Sequence, residues 1–473
     1  MGYDGRRDIQ TPQSFIKCGV IIFKTRKYNF INADFSFYKT RTLDFTKCGI
    51  SIIIFHRRTL YFKENIMQIQ RWQKTTLENA LETRRIVIIS GARQAGKTTL
   101  AKQIVSKNAI YRTLDDSALL KVALDDPKGF LWHKEPTMII DEIQKAPLLI
   151  SEIKKIVDEN NAKGQFVLTG SADIRAMPTV KESLAGRVKN LRLRTLTQGE
   201  ISGSRPSFLQ RAFNGDFKSQ YKNSSKKDLL DIALRGGYPE AISLSTKARK
   251  EWHKDYIEAI INKDMREIFN INRHETLNSL IKVMASWSSK YIDISGICSK
   301  FEVSKPTLMG YIQLFEVIYL CEKLPAWLKS DYDRIAKKEK FYFSDSGLMA
   351  SLLNWTYKDA SLDADKYGKL IETFVFGEIA AQAELDSEYS MYQYRDRENR
   401  EIDFIIEHED GSILAVEAKG GSNIGKNDFK HIKWFREHLA KDRKFMGIVL
   451  YSGGDTLPFG ENMFAVPTVS LWE

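Results

Sequence analysis

Gly91, Gly96, Lys97 and Thr98 stand in the spacing G-x-x-x-x-G-K-T, directly after the apolar run Ile86 to Ile89. These residue types suit a polyphosphate. Glycines let a short loop turn with its N–H groups inward, and a following helix adds its positive N-terminal end. A lysine and a hydroxyl then reach the phosphates and a divalent cation. Every residue of the loop is a candidate for nucleotide contact: Gly91, Ala92, Arg93, Gln94, Ala95, Gly96, Lys97, Thr98 and Thr99. A second half follows in the run T-M-I-I-D-E at 137–142, an apolar strand whose first acid lies 44 residues after Lys97. Asp141 is placed to hold Mg2+ with Thr98, and Glu142 to polarise an attacking water. Both halves at this separation are far more specific than either alone, so ATP and Mg2+ are the expected cofactors.

Two more residues extend this site. A third strand is expected at 165–169, and Ser171 just after it is a candidate for touching the γ-phosphate or the water. Arg187, in S-L-A-G-R, is a candidate for stabilising γ-phosphate charge from its own or a neighbouring subunit. A surface or inter-domain ion pair explains Arg187 equally well.

A different set of acids lies near the C-terminus. Helix 366–379 carries Glu372 among Leu370, Phe374, Val375 and Ile379. Strands follow at 389–394, 401–406 and 412–418, with Asp403 on the second and Glu417-Ala418-Lys419 closing the third. The order D-x13-E-x-K matches the active-site pattern of restriction-endonuclease-like phosphodiesterases. Asp403 and Glu417 offer hard oxygen ligands for Mg2+, and period-2 spacing puts Glu417 and Lys419 on one face. Lys419 would orient or activate water, with Glu372 approaching from the helix. The same residues also read as a marker of the fold alone, with Asp pairing to Lys.

The elements between these sites are mostly helical. An amphipathic helix with Ile69, Trp72, Leu77, Ala80 and Leu81 leads into the first strand, and 228–271 is helical around the break Gly236-Gly237-Tyr238-Pro239. Residues 256–266 read as one amphipathic helix that ends in the pair Asp264 and Arg266. Region 292–320 predicts a winged helix-turn-helix. One helix spans 294–301, Ser304 caps a second with Pro306 in its first turn, and strands at 322–327 and 340–343 form the wing. The second helix offers Lys305, no Arg, and Glu316, which favours a structural or lid role over base reading. Another amphipathic helix at 427–439 precedes a buried strand at 445–451.

Length and charge set the frame. The 473 residues suggest two or three domains. Residues 1–66 hold 12 Lys and Arg against 5 Asp and Glu, so +7 of the net +12 falls there and says little about the rest. This extension shows no helical period, and Met67 opens a segment that reads well. It is expected to be disordered or an artefact of the assigned start, with a basic partner-binding arm as the other reading. The four cysteines (Cys18, Cys48, Cys298, Cys321) form no C-x-x-C pair, which fits a reducing cytoplasm, and no apolar run approaches a membrane span.

The segment 91–98, Asp141-Glu142-Ile143-Gln144 with Pro147, Leu168-Thr169-Gly170-Ser171, Ala185-Gly186-Arg187 and Gly236-Gly237-Tyr238-Pro239-Glu240 together resemble one family. They look like the prokaryotic AAA-type P-loop ATPases that carry a C-terminal restriction-endonuclease-like domain. The resemblance covers about 67–473 and implies an α/β protein. Its parts would be a parallel αβα P-loop NTPase core at 67–200, a helical and winged-helix middle at 225–330, and a nuclease-like α/β domain at 340–473. It also implies that Asp264 and Arg266 communicate with the nucleotide. Three functions follow as expectations: an Mg-dependent ATPase, an ATP-gated DNA endonuclease, or a non-hydrolysing ATP switch that recruits a partner. DNA and a second copy of the chain are the candidate partners, and a membrane is not.

Overall fold

The computed structural model describes residues 69–104, 109–173, 184, 186–222, 224–264, 274–328 and 338–473, with three short strands nearer the N-terminus. Met1–Gln68 and Ile69–Glu473 are two compact units. In the first, β1 (Val20–Ile22), β2 (Arg41–Phe45) and β3 (Ile50–Ile54) form an antiparallel sheet with β3 in the middle. The rest of that unit lies outside the described residues, and with it the expectation of an extension foreign to the fold. Residues Ala185 and Arg266 and the side chain of Asp264 lie outside as well.

The second unit opens with helix Gln73–Thr83, which buries Gln73, Leu77 and Ala80. Five parallel strands follow: β4 (Ile86–Ser90), β5 (Ala109–Thr113), β6 (Thr137–Asp141), β7 (Phe166–Gly170) and β8 (Val188–Arg192), in the order β5-β6-β7-β4-β8. Strands buried on both faces read as continuous apolar runs, as β4 does with I-V-I-I-S fully buried. Helix Leu149–Glu159 covers one face through Leu149, Ile150, Ile153 and Val157, a helical stripe. The parallel α/β core expected from the sequence is therefore present.

The middle contains the helix pair Ile294–Phe301 and Lys305–Val317. Asp293 and Ser304 cap them by accepting the N–H groups of Gly296 and Thr307. β9 (Lys290–Tyr291), β10 (Cys321–Leu324) and β11 (Lys340–Phe343) form an antiparallel sheet in the order β10-β11-β9. The helix expected across 256–266 differs. An α-helix ends at Ala259 and Ile260–Asp264 is a π-helical turn.

At the C-terminus, helix Ala364–Ala383 precedes a mixed sheet. Its strands are β12 (Tyr389–Arg395), β13 (Glu401–His408), β14 (Ile413–Ala418), β15 (Phe445–Tyr451), β16 (Leu457–Gly460) and β17 (Met463–Pro467), ordered β12-β13-β14-β15-β17-β16. β14, β15 and β17 run parallel and the other pairs antiparallel. Leu308, Ile312 and Phe315 of the middle join Tyr342, Phe343, Leu370, Phe404 and Leu414 in one hydrophobic cluster. The two C-terminal lobes thus share a core. Among the described residues no helix is long and apolar enough to cross a membrane.

One buried acid in helix Ala364–Ala383 makes stability depend on pH. Glu378 is 4% exposed; its Oε1 accepts the Gln198 N–H at 2.7 Å, and its Oε2 has no hydrogen-bond partner. Burial pushes its carboxyl up to about 8. A raised acid stabilises the fold fully below the ordinary carboxylate range and loses that contribution as pH rises toward the folded value. Glu378→Gln keeps the shape without the titration. Its Tm relative to wild type is expected to climb between pH 5 and pH 8, by the equivalent of a few kcal/mol at most. A constant difference across that range would refute the assignment.

Candidate functional site

β4 delivers Gly91 at the C-terminal edge of the parallel sheet, where open α/β sheets hold ligands. Gly91 has φ +152°, and a Cβ there would stand 2.1 Å from the Leu193 carbonyl oxygen, so no other residue fits. Gln94 (φ +59°) and Gly96 (φ +98°) complete the wrap, and helix Lys97–Ile104 starts at once. Lys97 is 5% exposed, and its ammonium donates to the carbonyls of Gly91 and Ala92, each at 2.9 Å, inside the loop. Ala92 and Ala95 are buried and Thr99 is exposed.

Asp141 ends β6 beside this loop. The Thr98 hydroxyl lies 3.0 Å from both its carboxylate oxygens. Tyr111 donates to Asp141 Oδ2 at 2.7 Å, and the Thr169 hydroxyl donates to Oδ1. Burial, then Asp141, pushes the Tyr111 phenol far up, so it stays a donor. Glu142 sits at φ +59°, left-handed backbone that turns its side chain out of the strand direction. Its Oε2 accepts from the Ser171 hydroxyl at 3.2 Å and from the Gln144 amide, which also reaches Ser171 Oγ at 3.1 Å. The fold thus brings together Lys97, Thr98, Asp141, Glu142 and Ser171. The Thr98 hydroxyl and Asp141 carboxylate are a hard-oxygen pair of the kind that suits Mg2+.

Arg187 stands elsewhere. It immediately precedes β8, and its carbonyl accepts the N–H of Ile86 at the start of β4. That is the N-terminal edge of the sheet, opposite the loop. There its guanidinium pairs with Asp158, 3.0 Å between Nη2 and Oδ2, and Arg85 lies 3.6 Å from the same acid. The expected contact with a nucleotide of its own chain is corrected accordingly: the residue before a parallel strand lies a strand's length from the residue after one.

Three loop supports were not foreseen. Arg71, 7% exposed, donates from Nη1 to the Ala95 carbonyl at 2.6 Å and from Nη2 to the Arg194 carbonyl at 2.6 Å. Its Nε meets Glu200 Oε1 at 2.9 Å. Tyr319, at φ +60°, packs with Ala92 and Ala95, and the Arg192 guanidinium lies over its ring at 5.2 Å. Tyr256 donates to the Arg93 carbonyl at 3.3 Å. Arg71 left one usable signal, an Arg just ahead of an amphipathic helix whose N-terminus has no side-chain cap.

The C-terminal acids also assemble, around a residue the sequence reading placed only as a wing strand. Lys340 Nζ lies 2.7 Å from Glu372 Oε1, 2.7 Å from Glu401 Oε1 and 3.0 Å from Asp403 Oδ1. Asp403 Oδ2 accepts the Ala418 N–H at 3.0 Å, and Lys419 pairs with Glu417 at 2.8 Å. Burial, then Asp403, raises Glu372 to about 7 and Glu417 to about 8. Burial alone would lower the Lys340 ammonium, but the carboxylates outweigh it and hold it well above the lysine range. Among the described residues no group of three or more His, Cys, Asp or Glu is arranged to hold a metal ion.

Residues 83–202 match the family model described as an AAA domain. That match supports an AAA-type P-loop domain around this site. Residues 226–359 and 367–471 match two models described as domains of unknown function. Uncharacterized proteins of Mycobacterium tuberculosis and Mycobacterium bovis are each 25% identical over 393 residues, covering 83% of this chain and 82% of theirs. Among solved structures, the Thermotoga maritima RuvB Holliday junction branch migration motor covers 56% of this chain and 93% of its own at 19% identity, with a TM-score of 0.25. A signal transduction ATPase with a tetratricopeptide repeat sensor from Pyrococcus horikoshii covers 65% and 44% at 12% identity, with a TM-score of 0.18. Likenesses this slight say nothing about activity.

Proposed function

We propose that the chain is an Mg-dependent ATPase whose nucleotide state is passed to the middle and C-terminal elements. The observation that carries this reading is the meeting of Thr98 with Asp141 at 3.0 Å beside a Glu142 that Ser171 and Gln144 hold in place. A pure nucleotide binder has no need of the second acid.

In this reading the inward N–H groups of 91–98 and the Lys97 ammonium bind the phosphates. Thr98 and Asp141 hold Mg2+, which supplies positive charge against the developing negative charge of the transferred phosphoryl group. Glu142 orients and polarises the water, and the Ser171 hydroxyl fixes the carboxylate that does so. Tyr319, packed on Ala92 and Ala95, senses the loop, and the Asp173 N–H ties the segment just after β7 to the Val317 carbonyl at 2.7 Å. These contacts favour a lid role for the winged-helix region over base reading. The strand order of the C-terminal sheet, with Asp403 and Glu417 on neighbouring strands, supports a restriction-endonuclease-like lobe. Arg187 serves a nucleotide only from a neighbouring copy of the chain.

The test is phosphate release from ATP by the full chain, with Mg2+ or with EDTA in its place, and with or without duplex DNA. Mg-dependent release is expected. ATP binding with no release over hours under any condition would replace the ATPase reading with that of a non-hydrolysing switch.

A further inference from the structure

The acid cluster of the C-terminal lobe contains its own cation. Lys340 opens β11, a strand buried along its whole length, and is itself 2% exposed. An ammonium has three N–H donors; here it donates to Glu401 and Asp403 at 2.7 and 3.0 Å and forms an ion pair with Glu372 at 2.7 Å. Glu401 and Asp403 are two apart on β13 and so share one face of the strand, while Glu372 comes from helix Ala364–Ala383.

Lys340 is not a surface side chain that has swung inward. Tyr342, two residues on and on the same face of β11, is fully buried; its hydroxyl donates to the same Glu372 Oε1 at 2.6 Å. Its ring stacks on Phe376 with centroids 4.1 Å apart. The strand is thereby locked in the shared core. Withdrawing the ammonium would strand it in that core without partners, which is strongly unfavourable for a buried charge.

Both Asp403 oxygens and one oxygen each of Glu372 and Glu417 are therefore engaged by the protein itself. Asp403 gives Oδ1 to Lys340 and Oδ2 to the Ala418 N–H. Glu372 Oε1 serves both Lys340 and Tyr342, and Glu417 is paired with Lys419. A divalent ion needs about six oxygens at roughly 2.0–2.6 Å, and an ammonium already stands at the point where these carboxylates converge. The residues do not fit the Mg2+ that the D-x13-E-x-K pattern suggests.

We propose that Lys340 is the resident cation of this cluster, taking the place of a divalent metal, so that the C-terminal lobe neither binds Mg2+ there nor cuts phosphodiesters by a metal-dependent route. Its carboxylates hold the middle sheet to the C-terminal sheet instead.

The probe is Mn2+ titrated into the nucleotide-free full chain and read by the loss of the free-ion EPR signal. Any Mn2+ at Thr98 and Asp141 is common to all samples and cancels in the comparison, so the result stands apart from the ATPase reading. Wild type and Asp403→Asn are expected to bind Mn2+ alike. Lys340→Met is expected to gain one Mn2+ site that wild type lacks, and Lys340→Met with Asp403→Asn to lose it. Wild-type binding that Asp403→Asn weakens tenfold or more would overturn the proposal, as would a folded Lys340→Met that gains no site. Should Lys340→Met fail to fold, the comparison of wild type with Asp403→Asn still decides.

Discussion

Glu142→Gln is expected to lower ATP turnover by about 10²–10³-fold while leaving ATP bound, and Lys97→Ala to abolish ATP binding itself. The two effects differ because the two residues meet different charges. Lys97 is buried inside the loop at 2.9 Å from the Gly91 and Ala92 carbonyls, so its ammonium is committed to the loop interior. Removing it takes away charge present for substrate and transition state alike. Glu142 lies beyond the strand end, where only its carboxylate charge can act on a water. An amide keeps the shape and the contact with the Ser171 hydroxyl but cannot take a proton. General-base assistance of this kind is worth roughly 10²–10⁴-fold. Phosphate release and nucleotide retention, measured on the same samples, separate the two. A Glu142→Gln variant that turns over within about threefold of wild type would remove Glu142 from the chemistry.

That pair of residues was readable because each half of the site is local. A strand, a glycine loop and a helix lie within 86–104, and T-M-I-I-D-E is one strand with its end. Local period also found the second helix of the middle, starting at Lys305 after its Ser304 cap, and the strands Lys340–Phe343 and Phe445–Tyr451 to the residue. Even Asp403 and Glu417 came together as expected, since a hairpin sets the register of neighbouring strands.

What escaped were meetings between distant elements. Period and spacing say which face of a strand is buried, not what buries it. Lys340 read as the polar start of a wing strand, and nothing near it in sequence names Asp403 as its partner. Arg71 clasps the carbonyl of Ala95, and nothing near it in sequence names that partner. Arg187 reads equally as a nucleotide contact or an ion-pair residue, and it forms the pair, with Asp158. It follows the loop motifs in a suggestive order, but strand direction places it at the other edge of the sheet. The π-helical turn at Ile260–Asp264 has no counterpart in the apolar pattern of 256–266, which suits an α-helix equally well.

Arg194→Met is expected to destabilise the protein by about 3–5 kcal/mol, the cost typical of removing one partner from a buried ion pair. Arg194, just after β8, bridges three parts of the fold. It meets Glu322 of β10 through Nη1 at 2.6 Å and Nη2 at 2.8 Å, and Glu384 at the end of helix Ala364–Ala383 at 2.8 Å. Arg192 adds a contact to Glu322 at 2.7 Å. With Arg194 gone, two carboxylates from different elements face each other with one guanidinium between them. The pH dependence gives the assignment a second readout. Burial alone would raise the Glu322 carboxyl, but Arg192 and Arg194 outweigh it and hold it down at about 2. A lowered acid stabilises the fold above the ordinary carboxylate range and loses that contribution as pH falls toward the folded value. The gap in Tm between wild type and Arg194→Met should therefore be full at pH 7 and shrink below about pH 4, where protonation relieves the variant and costs the wild type. A gap under about 1 kcal/mol, or one that does not change with pH, would mean that the network holds nothing together. The Arg194 carbonyl also anchors Arg71, whose other amine grips the Ala95 carbonyl of the phosphate loop. The same substitution should then weaken ATP binding in the folded fraction, since the ion pair that fixes the C-terminal elements also positions the back of the loop.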